Sequence, residues 1–190
     1  YCPPTIGPKY ILADSVSGSL NNEPVVSLSG AACSSLTYGD MDGDGDLDLV
    51  ASAESTNANW IWENKLDIGG GFSFHPSLMG SVSSAVAVID ADGNGDLSIL
   101  TAALTSPNKV CVINHNGAFS FGLGWCSIGG SIVRDMAVAD LNGDKRDDFV
   151  TVGTGGVTAW INDGSGGFNQ AGNIAGNFGA LTLADVDRDG

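Results

Sequence analysis

The stretch Gly39-Asp40-Met41-Asp42-Gly43-Asp44-Gly45-Asp46-Leu47-Asp48 puts an aspartate at every second position from 40 to 48. Carboxylates crowded in this way repel one another unless a cation sits among them. Oxygen ligands at the first, third and fifth positions of a loop, separated by small residues, converge on one hard cation. A backbone carbonyl at the seventh position and a carboxylate at the ninth complete the shell. In this loop those groups are Asp40, Asp42, Asp44, the carbonyl of Asp46, and Asp48. The pattern recurs as Asp90, Asp92, Asn94 and Asp96, as Asp140, Asn142, Asp144, the carbonyl of Arg146 and Asp148, and as an opening Asp185, Asp187 and Asp189. A flexible cage of oxygens suits calcium better than magnesium, and the lack of nitrogen or sulfur donors argues against zinc. Ser98 stands at the ninth position of the second loop, so that site is expected to bind more weakly.

The charge balance supports a bound counter-ion. Of 22 acidic residues, fifteen lie in these loops, and only 7 basic side chains offset the 22, leaving a formal charge of −15. Four divalent cations would roughly halve that charge, to a value ordinary for a soluble domain. Lys9, Lys65, Lys109, Arg134, Lys145, Arg146 and Arg188 form no basic stripe interleaved with aromatics, which excludes a nucleic-acid partner. No apolar run is long enough for a transmembrane segment, and no retained signal peptide is visible. A hydrophobic content of 43% and mean hydropathy of +0.12 belong to a folding chain. Cys2, Cys33, Cys111 and Cys126 show no CxxC spacing, so they read as disulfides of an oxidising compartment. Three pairings are open, with Cys111–Cys126 and Cys2–Cys33 the shorter closures.

The elements that must position these loops also repeat. The first aspartates are 50, 50 and 45 residues apart. Each loop lies between alternating apolar runs, such as 85–89 before and 99–101 after the second, which read as strands joined by a hairpin. A third strand follows in each unit, with Asn64, Asn114 and Asn162 read in register, and then a Gly-Phe signature at Gly71-Phe72, Gly117-Ala118-Phe119 and Gly167-Phe168 opening a fourth. The expected fold is all-β. It is a β-propeller of four-stranded antiparallel blades with calcium-binding hairpin loops. Residues 1–20 read as a lead-in segment, and residues 21–190 as three and a half blades, at about 25–74, 75–121, 122–170 and 171–190. A seven-bladed ring at this repeat length needs roughly 340 residues, so further blades or another chain are expected to close it. A helix-loop-helix calcium site is ruled out because its twelfth-position glutamate is replaced by Ala51, Thr101 and Thr151.

The DxDxDGxxDL pattern, repeated in step with WxN and GF, resembles the FG-GAP or VCBS repeat of integrin α-subunit propellers and of fungal and bacterial calcium-binding propellers, among them a fungal lectin. The resemblance implies an extracellular, secreted or cell-surface module that is not an enzyme. It implies an adhesive or structural role toward extracellular protein or matrix, or glycan binding as a lectin, or service as the scaffold of a larger extracellular enzyme. His75 and His115 flank no nucleophile, and His115 reads as a solvated turn residue. Trp62 and Trp160 read as blade core, whereas Trp60 and Trp125 break the repeat and are the expected binding-surface aromatics.

Overall fold

The computed structural model describes residues 9–11, 25–27, 33–53, 59–66, 71–77, 83–103 and 109–185. Among these residues the only regular elements are β-strands, and no helix is long and apolar enough to cross a membrane. A short pair, β1 (Lys9–Ile11) and β2 (Val25–Ser27), precedes the repeats. Blade 1 comprises β3 (Cys33–Gly39), β4 (Asp48–Ala53), β5 (Asn59–Asn64) and β6 (Phe72–Ser77). Blade 2 comprises β7 (Ser83–Ile89), β8 (Ser98–Ala103), β9 (Val110–His115) and β10 (Phe121–Cys126). Blade 3 comprises β11 (Val133–Ala139), β12 (Asp148–Gly153), β13 (Gly156–Asn162) and β14 (Phe168–Ile174). Each sheet is antiparallel with its strands in chain order. The inner strands β3, β7 and β11 are neighbours, so the blades stand side by side as part of a propeller whose ring is not closed here. The second and third sheets run to Cys126 and Ile174, a few residues past the boundaries of 121 and 170 drawn from the sequence.

The second strand of each blade is buried; in blade 2, which has a blade on either side, this follows from packing on both faces. All six residues of β12 are buried, as are five of the six in β8. Such strands show continuous apolar character rather than clean alternation. Between blades 1 and 2, Met41, Val50 and Ile61 meet Val86, Ile99 and Ile113. Between blades 2 and 3 the small Ala85, Ala87 and Ala102 leave room that Phe149, Phe168, Trp160 and Trp125 fill. Trp125 stands edge-on to Phe149, Trp160 and Phe168 at 5.3–6.2 Å. Trp60 is 6% exposed and packs on Leu49 and Trp62. Trp60 and Trp125 are therefore packing residues, not free surface aromatics: Trp60 is buried in blade 1's own cluster, and Trp125 is partly buried against the core shared by blades 2 and 3. Trp62 and Trp160 are core residues, as expected.

Polar staples repeat with the same period as the loops. Ser34 Oγ donates to the Ser83 carbonyl at 2.7 Å and Ser84 Oγ to the Val133 carbonyl at 2.5 Å, each reaching one blade onward. Arg134 holds the next such position and donates to the Phe178 carbonyl at 3.3 Å, and to Asn177 Oδ1. With the Leu181 amide bound to Asp135 Oδ2 at 2.9 Å, residues 177–181 lie along blade 3 where an inner strand of a further unit would dock. Cys111 and Cys126 form a disulfide across β9 and β10 with a separation of 15, a closure worth about 3 kcal/mol. The Cys2–Cys33 pairing involves Cys2, which lies outside the described residues, as do the rest of the lead-in segment apart from β1 and the loop residues Asp187 and Asp189.

One backbone position is especially unforgiving. Gly156 opens β13 at φ 107°, and a Cβ there would sit 2.0 Å from the Ile174 carbonyl oxygen, which is backbone and cannot swing aside. Gly156→Ala is expected to destabilise the fold by about 3 kcal/mol, read as a lowered urea midpoint at unchanged slope.

Candidate metal centre

Each loop joins the inner strand of its blade to the second strand, and its first aspartate organises the turn through backbone amides. Asp40 accepts from the amides of Gly43 at 2.7 Å and Gly45 at 3.0 Å. Asp90 accepts from Gly93, Asn94 and Gly95, and Asp140 from Asn142, Gly143, Asp144 and Lys145. Gly43 and Gly45 take φ of 80° and 98°, which lets the chain fold back over the carboxylate. The third- and fifth-position groups cap the residue two further on: Asp42 the Asp44 amide, Asp44 the Asp46 amide, Asp92 the Asn94 amide, Asn94 the Asp96 amide.

The ninth-position carboxylate has a second task that its place in the motif does not reveal. Asp48 is 1% exposed; its Oδ2 accepts the Met41 amide at 2.8 Å and its Oδ1 the Asn64 amide at 2.7 Å. Asp148 repeats this with the amides of Leu141 at 3.0 Å and Asn162 at 2.8 Å. One carboxylate thus ties the start of the loop to the end of the third strand. In blade 2 the corresponding bond runs from the His115 amide to Ser98 Oγ at 3.3 Å.

That bond corrects the sequence register. Trp62, Ile113 and Trp160 lie opposite Leu49, Ile99 and Phe149, so Asn64 and Asn162 correspond to His115 rather than Asn114. Likewise Phe121, opposite His115, matches Phe72 and Phe168, and Phe119 belongs to an inserted turn. His115 is not a solvated turn residue: it ends β9, its ring stacks on Phe121 at 5.1 Å, and both ring nitrogens are buried. His75 stacks on Phe119 at 4.2 Å and bonds Glu63 at 2.8 Å.

Asp40, Asp42 and Asp48 converge, with one ligand oxygen from each lying within 4.8 Å of the others. Two oxygens on opposite sides of a calcium ion are about 5 Å apart, so the spacing and the oxygen-only donor set fit such an ion. These three residues would hold it, while Asp44 and Asp46 border the group. Among the described residues this is the one such group of three carboxylates; the second and third loops place Asn94 and Asn142 at ligand positions, so amide oxygens stand in for carboxylates there, and Asp185 is exposed on the opening of the fourth. Burial raises the Asp48 carboxyl above the ordinary carboxylate range despite its two amide bonds, and partial desolvation followed by the charges of Asp44, Glu63 and Asp40 raises Asp42. The Lys145 amide, then those of its neighbours, holds Asp140 low. A carboxyl raised on folding supports the fold at low pH and costs stability above its folded pKa. A divalent cation in the group removes that cost.

Sequence reasoning missed the contacts that fasten one loop to the next. Asp147 Oδ2 accepts the Asp90 amide at 2.9 Å, and Asn162 Nδ2 donates to the Ala91 carbonyl at 2.9 Å. On the other junction a Cβ on Gly39 would meet Leu97 Cδ1 at 2.7 Å. The eighth-position change from Leu47 and Leu97 to Asp147 was the available signal.

In comparisons with known proteins, the family described as FG-GAP-like repeat matches residues 40–101 and 140–190, both stretches opening on a first-position aspartate. No curated protein gives a significant match. Among solved structures, the chain is similar to an Agrocybe aegerita lectin described for specific recognition of non-reducing terminal N-acetylglucosamine. The identity is 23% and the TM-score 0.47, over 70% of this chain and 36% of that one. The chain thus spans about a third of that lectin's length.

Two substitutions separate the clamp from the cation site. In chelator, Asp48→Ala is expected to cost about 2–4 kcal/mol in urea unfolding, because two amide donors lose their buried partner. Asp42→Asn is expected to raise stability slightly in chelator at neutral pH, by less than about 1 kcal/mol, and to lower it in calcium. Equal effects of Asp42→Asn in both buffers would contradict a cation among these groups.

Proposed function

The chain belongs to the FG-GAP-like repeat family, and on that premise we propose that it is a calcium-stabilised, extracellular β-propeller module that binds protein or matrix partners and performs no catalysis. The observation that carries this reading is the convergence of Asp40, Asp42 and Asp48 on one point of a loop that recurs between the same two strands of every blade. A carboxylate cluster in a loop that occurs once can be catalytic; here the loop recurs in each blade, and in blades 1 and 3 its ninth-position carboxylate is clamped to the blade's own third strand, which supports an architectural role. The Cys111–Cys126 disulfide supports an oxidising location, where calcium is abundant. The two histidines are engaged in stacking on Phe119 and Phe121, which supports a non-enzymatic role. Integration of rigid blades leaves the loops and strand connections on the rim to meet a partner.

Glycan binding is the second reading, favoured by a pocket of about 230 Å³ at the junction of blades 2 and 3. Its lining includes Trp160, Thr151, Thr158, Ser131, Gln170 and Asn173, an aromatic side chain with hydroxyl and amide groups around it, which is chemistry suited to a sugar. Gln170 and Asn173 are exposed at its edge.

Chelation is expected to lower Tm and calcium to restore it, with about 2.7 kcal/mol gained per site at a hundredfold excess over Kd, and with magnesium restoring less. A Tm insensitive to chelator would contradict the calcium role. A glycan array run with Gln170→Ala beside the unaltered chain decides the second reading: binding lost in the variant supports it, and no binding by either overturns it.

A further inference from the structure

The third loop carries its own cation. Across positions 40–48 the first loop holds five carboxylates and a formal charge of −5, whereas positions 140–148 hold four carboxylates with Lys145 and Arg146, a formal charge of −2. Arg146 stands where the first loop has Asp46. Its Nη2 lies 2.5 Å from Asp144 Oδ2, and Asn142 Nδ2 donates to the same oxygen at 2.9 Å. Asp144 Oδ1 accepts the Arg146 amide at 2.9 Å. The fifth-position ligand is thus engaged through both oxygens, one of them by a full positive charge.

A second anion lies within reach of the same guanidinium. A Cβ on Gly164, in the turn between β13 and β14, would lie 3.6 Å from Arg146 Cζ. Asp163 precedes that glycine; the Ser165 hydroxyl and amide hold its carboxyl low, and the Arg146 charge adds to them. The Arg146 side chain is 43% exposed, which leaves the guanidinium open to solvent.

We propose that Arg146 is an internal counter-ion of the third loop: it competes with calcium for Asp144, so the first loop fills before the third, and Asp163 receives the guanidinium that calcium displaces. The inference rests on the calcium reading above and concerns how that site is tuned. Charge count and rigidity set the affinity of oxygen cages, and a side chain bound to a ligand oxygen must be exchanged before the ion can take its place. Among the described residues no basic side chain is paired with Asp40, Asp42, Asp44 or Asp48, so those ligands have no such exchange to make, and the first loop gains relief of its own repulsion when filled.

The test is a calcium titration of the labelled chain followed by NMR at the Gly43 and Gly143 amides, which report the first and third loops separately. In the unaltered chain Gly43 is expected to shift at lower calcium than Gly143. Arg146→Gln should lower the Gly143 midpoint roughly tenfold without moving that of Gly43, while Arg146→Lys, which keeps the charge, should stay nearer the unaltered value. Asp163→Asn should raise the Gly143 midpoint in the unaltered background and do nothing in the Arg146→Gln background, a coupling read from the four midpoints. A Gly143 midpoint unmoved by Arg146→Gln, with Gly43 still responding, overturns this inference alone. Failure of Gly43 to respond at all overturns the calcium reading and this inference with it. An unchanged Tm in chelator confirms that Arg146→Gln folds.

Discussion

A carboxylate buried between two strands is the constraint on which the blades depend. Asp48 and Asp148 are at most 1% exposed, and each accepts one amide from the loop's second residue and one from the end of the third strand. Burying a charge is costly unless its lone pairs are used, and here two backbone amides donate to each carboxylate. The arrangement fixes three things at once: where the loop begins, how β5 or β13 lies against the second strand, and where a ligand oxygen points. Blade 2 shows the consequence of removing the charge. Ser98 offers a neutral hydroxyl at 3.3 Å, and its partner is His115 instead of asparagine.

Because each loop is fastened to the blade before it, the loops form a connected series. Leu97 fills the space over Gly39, and Asp147 and Asn162 hold the backbone of the second loop at Asp90 and Ala91. The apolar contacts between blades lie just beneath, with Met41 from the first loop in the core between blades 1 and 2. Stiffness gained in a loop is therefore passed to a junction between blades. That is the physical content of calling the loops architectural, and it directs attention to the places where the repeats differ, such as the pocket beside Trp160 and the arginine of the third loop.

Much of this was legible in the sequence because it rests on local chemistry. The aspartate spacing, the strands flanking it, and the four-strand unit each follow from neighbouring residues, and the Cys111–Cys126 closure was one of the two short ones. What escaped depended on contacts across the chain. The slip from Asn114 to His115 arises in the turn after β9, where Gly117, Ala118 and Phe119 all take positive φ, 84°, 46° and 55°, so that Phe119 is an insertion and Phe121 opens the next strand. No hydrophobic count distinguishes those two phenylalanines. Trp125 looked free because nothing in the repeat calls for it, yet it fills a junction that alanines on blade 2 leave open. Asp48 was legible as a ligand but not as a clamp, since its second partner, Asn64, lies 16 residues away. Arg146 was read through its carbonyl, while its side chain proved the distinctive feature.

The claim that a cation in the loop stiffens the whole blade is tested most directly by native-state hydrogen exchange with and without calcium, read at the Met41, Asn64, Leu141 and Asn162 amides. The account predicts that calcium slows exchange at Met41 and Asn64 together, then at Leu141 and Asn162 as more is added, with little change at the His115 amide that Ser98 holds. Slowing confined to the loop amides of Gly43 and Gly45, or none at all, would contradict it.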